Sequence, residues 1–323
     1  MTGAHGRRGE VLAATPSLFT TGGELDLPAN AALFEYLAEL VDGVFVAGTT
    51  GEFPALHRAE RHQLAELALA TFGPDRVVVH VGAASTRDAV AFARSAIDLG
   101  ARRLAALTPY YLPADTDAVL GHFAAITEAV PGAAVYGYLF PERSGVDVAP
   151  ADYARVVAGT GLAGAKLSGS AAERFAEYRA ALPAGIQLWS GADTTLAEVV
   201  LGGGAGIVSG LSSAFPAPFV ALADAVAAGD QDAQRRAQAE ADEVLAALGG
   251  TVQGIKLAVH LRGWGEATSR MAHPAVSGAA RARIAALAAR SPGRPGRSGQ
   301  PRRGRTEPVR ARDERRETVR PRG

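Results

Sequence analysis

Apolar residues along this chain fall into two alternating patterns. Short aliphatic and β-branched runs recur eight times: VLAAT from Val11, GVFVAG from Gly43, RVVVHVG from Arg76, RLAALT from Arg103, AAVYGY from Ala133, LAGAKL from Leu162, IQLWSG from Ile186 and GIVSG from Gly206. Between them lie segments whose apolar positions repeat at three and four, at Ala31–Leu40, Ala59–Phe72, Thr86–Leu99, Asp117–Val130 and Ala151–Ala158. The first pattern fits strands buried on both faces, the second helices with one buried stripe. Strand and helix in alternation predict a parallel sheet, and eight repeats predict its closure into a (β/α)8 barrel. An open doubly wound sheet is the alternative. Further helical stretches follow the eighth run, near Ala217–Ala228, Gln231–Leu248, Ile255–Leu261 and Ala279–Ala289. One completes the barrel and the surplus predicts an appendage of C-terminal helices. No linker precedes it, so residues 1–290 read as one unit.

Composition sharpens this in three ways. Apolar residues make up 48% of the chain but aromatics only 6%, so the core must be mostly Ala, Val and Leu. There is no cysteine, which excludes disulfides, thiolate metal sites and a cysteine nucleophile. The first residues lack the apolar stretch of a secretory signal, and no apolar run is long enough for a membrane span. A cytoplasmic protein is the expectation. The zero net charge hides an asymmetry: from Ser291 onward eleven Arg face four acidic residues, a surplus of seven. That tail, 291–323, holds valine but no larger apolar residue, so it is expected to be disordered and solvated. Neither nucleic acid nor a membrane is expected as a partner.

Of 33 basic residues only Lys166 and Lys256 are lysines. A guanidinium cannot replace a primary amine as a nucleophile, so each lysine is a candidate in its own right. Lys166 sits in the apolar run LAGAKL, where desolvation of an amine favours its neutral, nucleophilic form. Position alone leaves equally open a side chain that reaches from the strand end to solvent. Tyr138 ends the preceding run, close enough in the barrel for its phenol to exchange protons with the same centre, or simply to pack. Gly48-Thr49-Thr50-Gly51-Glu52 follows the second run and offers two hydroxyls and free N–H groups to a carboxylate; an ordinary capped turn is the alternative.

Other candidates are weaker. Thr108-Pro109-Tyr110-Tyr111 closes the fourth run with two phenols that could relay protons or pack at an interface. Arg143 could clamp a second carboxylate or serve a surface ion pair. The glycines of Gly202–Gly206 lack phosphate-loop spacing and fit a helix ending tightly against the eighth strand. The seven histidines show no metal-binding spacing: His57 and His62 are five apart, and His80 lies inside a strand. Neither a metal nor another cofactor is expected.

Taken together, GTTGEF at Gly48–Phe53, TPYY at Thr108–Tyr111, YLFPERSG at Tyr138–Gly145, GAKLSG at Gly164–Gly169, SGAD at Ser190–Asp193 and GIVSG at Gly206–Gly210 resemble the dihydrodipicolinate synthase / N-acetylneuraminate lyase family of pyruvate-dependent class I aldolases. The resemblance covers about residues 10–290. It implies that Lys166 is the Schiff-base lysine, that Tyr138 handles protons, and that Thr49 links it to a second tyrosine, Tyr111, donated across a subunit interface. It further implies that Thr50, with the backbone around Gly48, binds the carboxylate of pyruvate, that Val208 packs near the bound ketoacid, and that Arg143 holds the carboxylate of an aldehyde partner. Homotetramers built from dimers are the family's usual assembly. The chain departs from the synthases at Leu139, where they often carry Asn, at Glu142 before Arg143, at Ser144 for Thr, and at Leu167 after the lysine. These differences bear on the second substrate. The implied activity is a 4-hydroxy-tetrahydrodipicolinate synthase-like aldolase. The alternative is a 2-keto-3-deoxy sugar acid aldolase, and a third reading is a barrel that binds ketoacids without turnover.

Overall fold

The structure is a computed structural model that describes residues 7–291 and Gly293. From Arg294 on, the Arg-rich tail lies outside the described residues. Eight parallel strands close on themselves in chain order: β1 Glu10–Ala14, β2 Gly43–Val46, β3 Val77–His80, β4 Arg103–Leu107, β5 Ala134–Leu139, β6 Gly164–Leu167, β7 Gln187–Ser190 and β8 Gly206–Ser209. β8 pairs with β1 through Val11↔Ile207 and Leu12↔Val208, which shuts the barrel. The expected (β/α)8 barrel is what forms, and the open sheet is not.

Closure explains the apolar runs. Successive side chains point alternately inward and outward. Outward residues such as Val11, Val44, Leu104, Ala165 and Ile207 join one large core cluster against the helices. Inward residues such as Leu12, Phe45, Val78, Ala105, Tyr138 and Val208 form a second, smaller cluster inside the barrel. The floor is polar: Glu10 accepts hydrogen bonds from Trp189 Nε1 at 3.0 Å and from Arg103 at 3.2 Å, and the Tyr136 hydroxyl donates to Gln187 at 2.9 Å. Glu10, Arg103 and Gln187 each stand at a strand's first residue, so this polar network lies at the N-terminal end of the barrel.

Several helices start at side-chain caps that the periodicity does not register. Asp26, Ser85 and Asp115 accept hydrogen bonds from Ala29, Asp88 and Ala118 N–H groups, so helices begin at Leu27, Thr86 and Thr116. The first starts well before the expected Ala31, because Pro28 is tolerated in an opening turn. Four short helices were not expected: Pro141–Ser144, Ser170–Glu173, Phe175–Ala181 and Leu196–Leu201. All are too short to establish a repeat. The glycine run behaves as expected: the last of these helices ends at Gly202, and Gly204 N–H bonds back to Val199 O at 2.7 Å. The C-terminal helices Pro216–Ala228, Gln231–Leu248, Val252–Leu261 and Gly278–Arg290 match the predicted set. No single helix among the described residues is long and apolar enough to cross a membrane.

Candidate active site

The register places two candidates side by side. Tyr138 pairs with Lys166, and Lys166 with Trp189, on three adjacent strands. Because Ala165 and Leu167 face the helices, strand alternation turns Lys166 into the barrel. Its Nζ lies 4.3 Å from the Tyr138 ring centroid and 4.7 Å from that of Phe45. Lys166 is buried, and a small cavity beneath it is lined by Phe45, Val78, Tyr136, Trp189 and Val208. The glycine at 191 makes room for its stem: a Cβ there would sit 3.1 Å from Lys166 Cε and 2.0 Å from Ser168 Oγ. Among the described residues no carboxylate lies within ion-pair distance of this amine.

Lys256 is the opposite case. It is fully buried, ion-paired to Glu52, and donates to Thr268 O at 2.8 Å. Burial pushes its pKa down while Glu52 holds it up. A lysine so occupied is structural, whereas Lys166 has no carboxylate partner among the described residues. The count of two lysines could flag both, but nothing local in the sequence joins residues 204 positions apart.

The threonine turn lies beside Tyr138. Thr49 Oγ1 is 3.2 Å from the Tyr138 hydroxyl, each able to donate to the other. The turn is held by Glu52 N–H on Thr49 O at 3.0 Å and Phe53 N–H on Gly48 O at 3.2 Å. The N–H groups of Thr49 and Thr50 have no acceptor among the described residues. They are free to meet an anion. Gly48 cannot carry a side chain, since a Cβ would come within 2.6 Å of the Phe45 ring. Thr50 Oγ1 would be 3.2 Å from a Cβ at Gly210, so the β2 and β8 loops converge here.

His80 lies in the core as a satisfied strand-end residue. Its Nδ1 hydrogen-bonds to Ala47 O at 3.0 Å, and its Nε2 accepts from Leu107 N–H at 3.3 Å, an assignment that fixes the neutral tautomer. Burial, with Arg61 and Lys166 nearby, keeps its pKa well below the usual histidine value. Ala47, whose carbonyl it holds, has a left-handed φ of 55° just before the turn. His80 thus ties the β2 and β4 loops together.

Of three other expected residues, one joins this cluster and two stand apart. Val208 lines the inner cavity with Lys166. Arg143 is exposed on Pro141–Ser144, its guanidinium 5.6 Å from the Phe140 ring centroid and, among the described residues, without an acidic partner within ion-pair distance. The neighbouring Glu142 accepts from Ser170 N–H at 2.9 Å, which lowers its pKa and stitches the β5 loop to the β6 loop. Tyr111 is 90% exposed with φ 82°, and within this chain it does not reach Tyr138 or Thr49. Its neighbour Tyr110 packs on Phe53, and burial raises its pKa.

In the sequence Asp193 is marked only by the SGAD motif. It accepts from Ser209 Oγ at 2.5 Å and Leu211 N–H at 3.1 Å. Burial raises its pKa against these donors and the positive Lys166. Among the described residues no group of three potential ligands could hold a metal ion.

Comparison with known proteins agrees with this geometry. The model of the dihydrodipicolinate synthetase family matches residues 8–288. A 4-hydroxy-tetrahydrodipicolinate synthase from Parasynechococcus marenigrum is 31% identical, over 79% of this chain and 86% of its own. A DapA-like lyase from Halobacterium salinarum is 34% identical over 69% of this chain and 74% of its own. Among solved structures, the dihydrodipicolinate synthase of Thermotoga maritima superimposes with a TM-score of 0.80 at 26% identity, covering 86% of this chain and 97% of that one. A synthase variant described as monomeric matches with the same TM-score and identity over 86% and 95%. With its family-wide match and barrel geometry, the chain belongs to the dihydrodipicolinate synthetase family.

Proposed function

We propose that this protein is a class I aldolase in which Lys166 captures pyruvate as an imine. The observation that carries the reading is the environment of the two lysines. Lys256 is bound to a carboxylate, whereas Lys166 faces aromatic rings at the open end of the barrel. In this reading the amine attacks C2 of pyruvate, and the resulting carbinolamine loses water. Tyr138, hydrogen-bonded to Thr49, gives a proton to the departing hydroxyl and later takes one from C3 to form the enamine. The pyruvate carboxylate meets the Thr49 and Thr50 N–H groups and the Thr50 hydroxyl beside Gly48, with the methyl group toward Val208. The enamine then adds to an aldehyde, or arises by cleavage of the adduct.

Arg143, unpaired by any carboxylate and raised on the β5 loop, favours an aldehyde that carries a carboxylate, the 4-hydroxy-tetrahydrodipicolinate synthase-like activity. One observation favours a second reading. Glu142 is fixed beside Arg143 and puts negative charge at the same rim, which suits a neutral, polyhydroxylated partner such as that of a 2-keto-3-deoxy sugar acid aldolase. The exposure of Tyr111 fits its delivery to the Thr49–Tyr138 pair of a second copy, so a homo-oligomer, dimer or tetramer, is part of this proposal. So is a cytoplasmic setting.

Borohydride reduction in the presence of pyruvate, followed by intact mass and peptide mapping, tests the central step. A single pyruvate-dependent adduct at Lys166 is expected, and its absence there refutes the imine. A panel of acidic and neutral aldehydes, run with and without Arg143→Ala, separates the two substrate readings. An acidic aldehyde as the better acceptor, lost in the variant, supports the synthase-like activity; a neutral aldehyde as the better acceptor, kept in the variant, supports the other.

A further inference from the structure

The imine chemistry leaves the last residue of Gly48–Glu52 without a role, yet Glu52 is among the most constrained side chains in the molecule. It is fully buried, adopts a left-handed φ of 54°, and its N–H closes the turn on Thr49 O. Both carboxylate oxygens are engaged. Oε1 takes the Lys256 ammonium, and Oε2 accepts from the backbone N–H groups of Arg270 at 2.9 Å and Met271 at 2.7 Å. All three partners belong to the helical appendage or the segment after it, far beyond the eighth strand.

The same segment grips the barrel mouth elsewhere. The Arg270 guanidinium donates to Gly23 O at 2.7 Å and Ala55 O at 3.0 Å, and clasps both oxygens of Glu60 at 2.6 Å. Phe19, fully buried, lies with its ring centroid 4.3 Å from both the Lys256 and the Arg270 cation. Ile255, on the helix that carries Lys256, would come within 2.8 Å of a Cβ at Gly210, and Thr50 Oγ1 stands 3.2 Å from the same point. Helix Val252–Leu261 therefore reaches the threonine turn from two directions, through Gly210 and through Glu52.

A buried ion pair with every oxygen satisfied is a poor source of net stability but a strong fixer of geometry. Fixing is what this turn needs. Two N–H groups that must converge on one carboxylate lose affinity if they are ordered only when the ligand arrives. We propose that Glu52 is a positioning residue. Anchored by Lys256 and by the Arg270 and Met271 amides, it holds the Thr49–Thr50 turn in the shape that receives the ketoacid carboxylate, so the C-terminal appendage frames the binding site. This rests on the imine reading above.

The test compares two carbonyl probes that differ in having a carboxylate. Pyruvate uses the turn, whereas acetaldehyde offers only the carbonyl that meets Lys166. Each is trapped with cyanoborohydride, and the Lys166 adduct is measured against probe concentration in the full-length protein and in the double variant Glu52→Gln/Lys256→Met. Removing both charges together avoids stranding one of them. Half-saturating pyruvate is expected to rise about tenfold or more, and acetaldehyde trapping to change by less than about twofold. Unchanged pyruvate dependence, or equal losses with both probes, overturns the proposal. A second measurement needs no variant. Because coupling is reciprocal, the trapped pyruvate adduct must slow hydrogen exchange in peptides covering 262–276 as well as 47–53. Protection confined to 47–53 overturns the proposal. If the unaltered protein forms no pyruvate adduct at Lys166, the imine reading itself fails, and the clamp falls with it.

Discussion

Tyr138→Phe separates catalysis from packing at a single atom. The change removes one hydroxyl from a ring that is 1% exposed and leaves the ring's contacts with Phe45, His80 and Phe140 in place. The lost interaction is the 3.2 Å contact with Thr49, whose half-buried hydroxyl can turn to water instead. One neutral hydrogen bond is worth about 1 kcal/mol of stability. In a domain of this size that lowers Tm by about 2–4 °C. If the same hydroxyl moves protons, its removal slows turnover by about 10²–10⁴-fold, or about 3–5 kcal/mol of barrier. The two expectations differ enough to be told apart. The assay need not know the aldehyde: enamine formation exchanges the pyruvate methyl hydrogens with deuterium, which proton NMR follows directly. The variant should still form the Lys166 adduct under slow trapping, melt within a few degrees of the parent, and lose exchange by at least about a hundredfold. A loss of less than about tenfold, with the protein folded, would refute the proton-transfer role.

Two further outcomes follow from the fold. Gly206 has φ 148°, and a Cβ there would lie 2.0 Å from Glu10 O across the β1–β8 seam. Gly206→Ala should cost about 3 kcal/mol or more, read by urea denaturation, and a loss below about 1 kcal/mol would mean the seam is loose. His122 is buried, and burial lowers its pKa from 6.5 to about 4. In the unfolded chain it takes up a proton near pH 6.5 while the folded chain does not, so stability falls as pH drops from 6.5 toward 4. The contribution is roughly 3 kcal/mol by pH 4, and His122→Leu should flatten that limb of the stability profile.

The barrel was legible because its strands are buried on both faces and its helices on one, a contrast the apolar pattern carries directly. Element starts were less legible. Asp26 caps a helix whose first turn contains Pro28, and a periodic reading begins only at Ala31, one turn late. The cluster of Thr49, Tyr138 and Lys166 could be assembled from strand ends because the barrel rule places strand ends together. The rule says nothing about residues outside the repeat. Glu52 meets Lys256 and the Arg270 and Met271 amides across more than two hundred positions, by a route set by the appendage and not by the barrel. Asp193 was passed over for a related reason. Its neighbours Ser209 and Leu211 belong to the next strand and the loop beyond, and their hydrogen bonds are a matter of side-chain reach that no period records.

The two lysines show how placement decides chemistry when residue type does not. Both are buried, and for Lys256 burial disfavours the ammonium. What separates them is whether a carboxylate stands within reach. Glu52 next to Lys256 favours the charged form against burial and accepts its N–H, so that amine is not free. Around Lys166 the neighbours are the rings of Tyr138 and Phe45, with the carboxylate of Asp193 turned to Ser209 and Leu211. An acid in direct contact with Lys166 would quench its nucleophilicity. In the proposed mechanism, one held at a distance, with its own donors, would leave the amine open to a carbonyl.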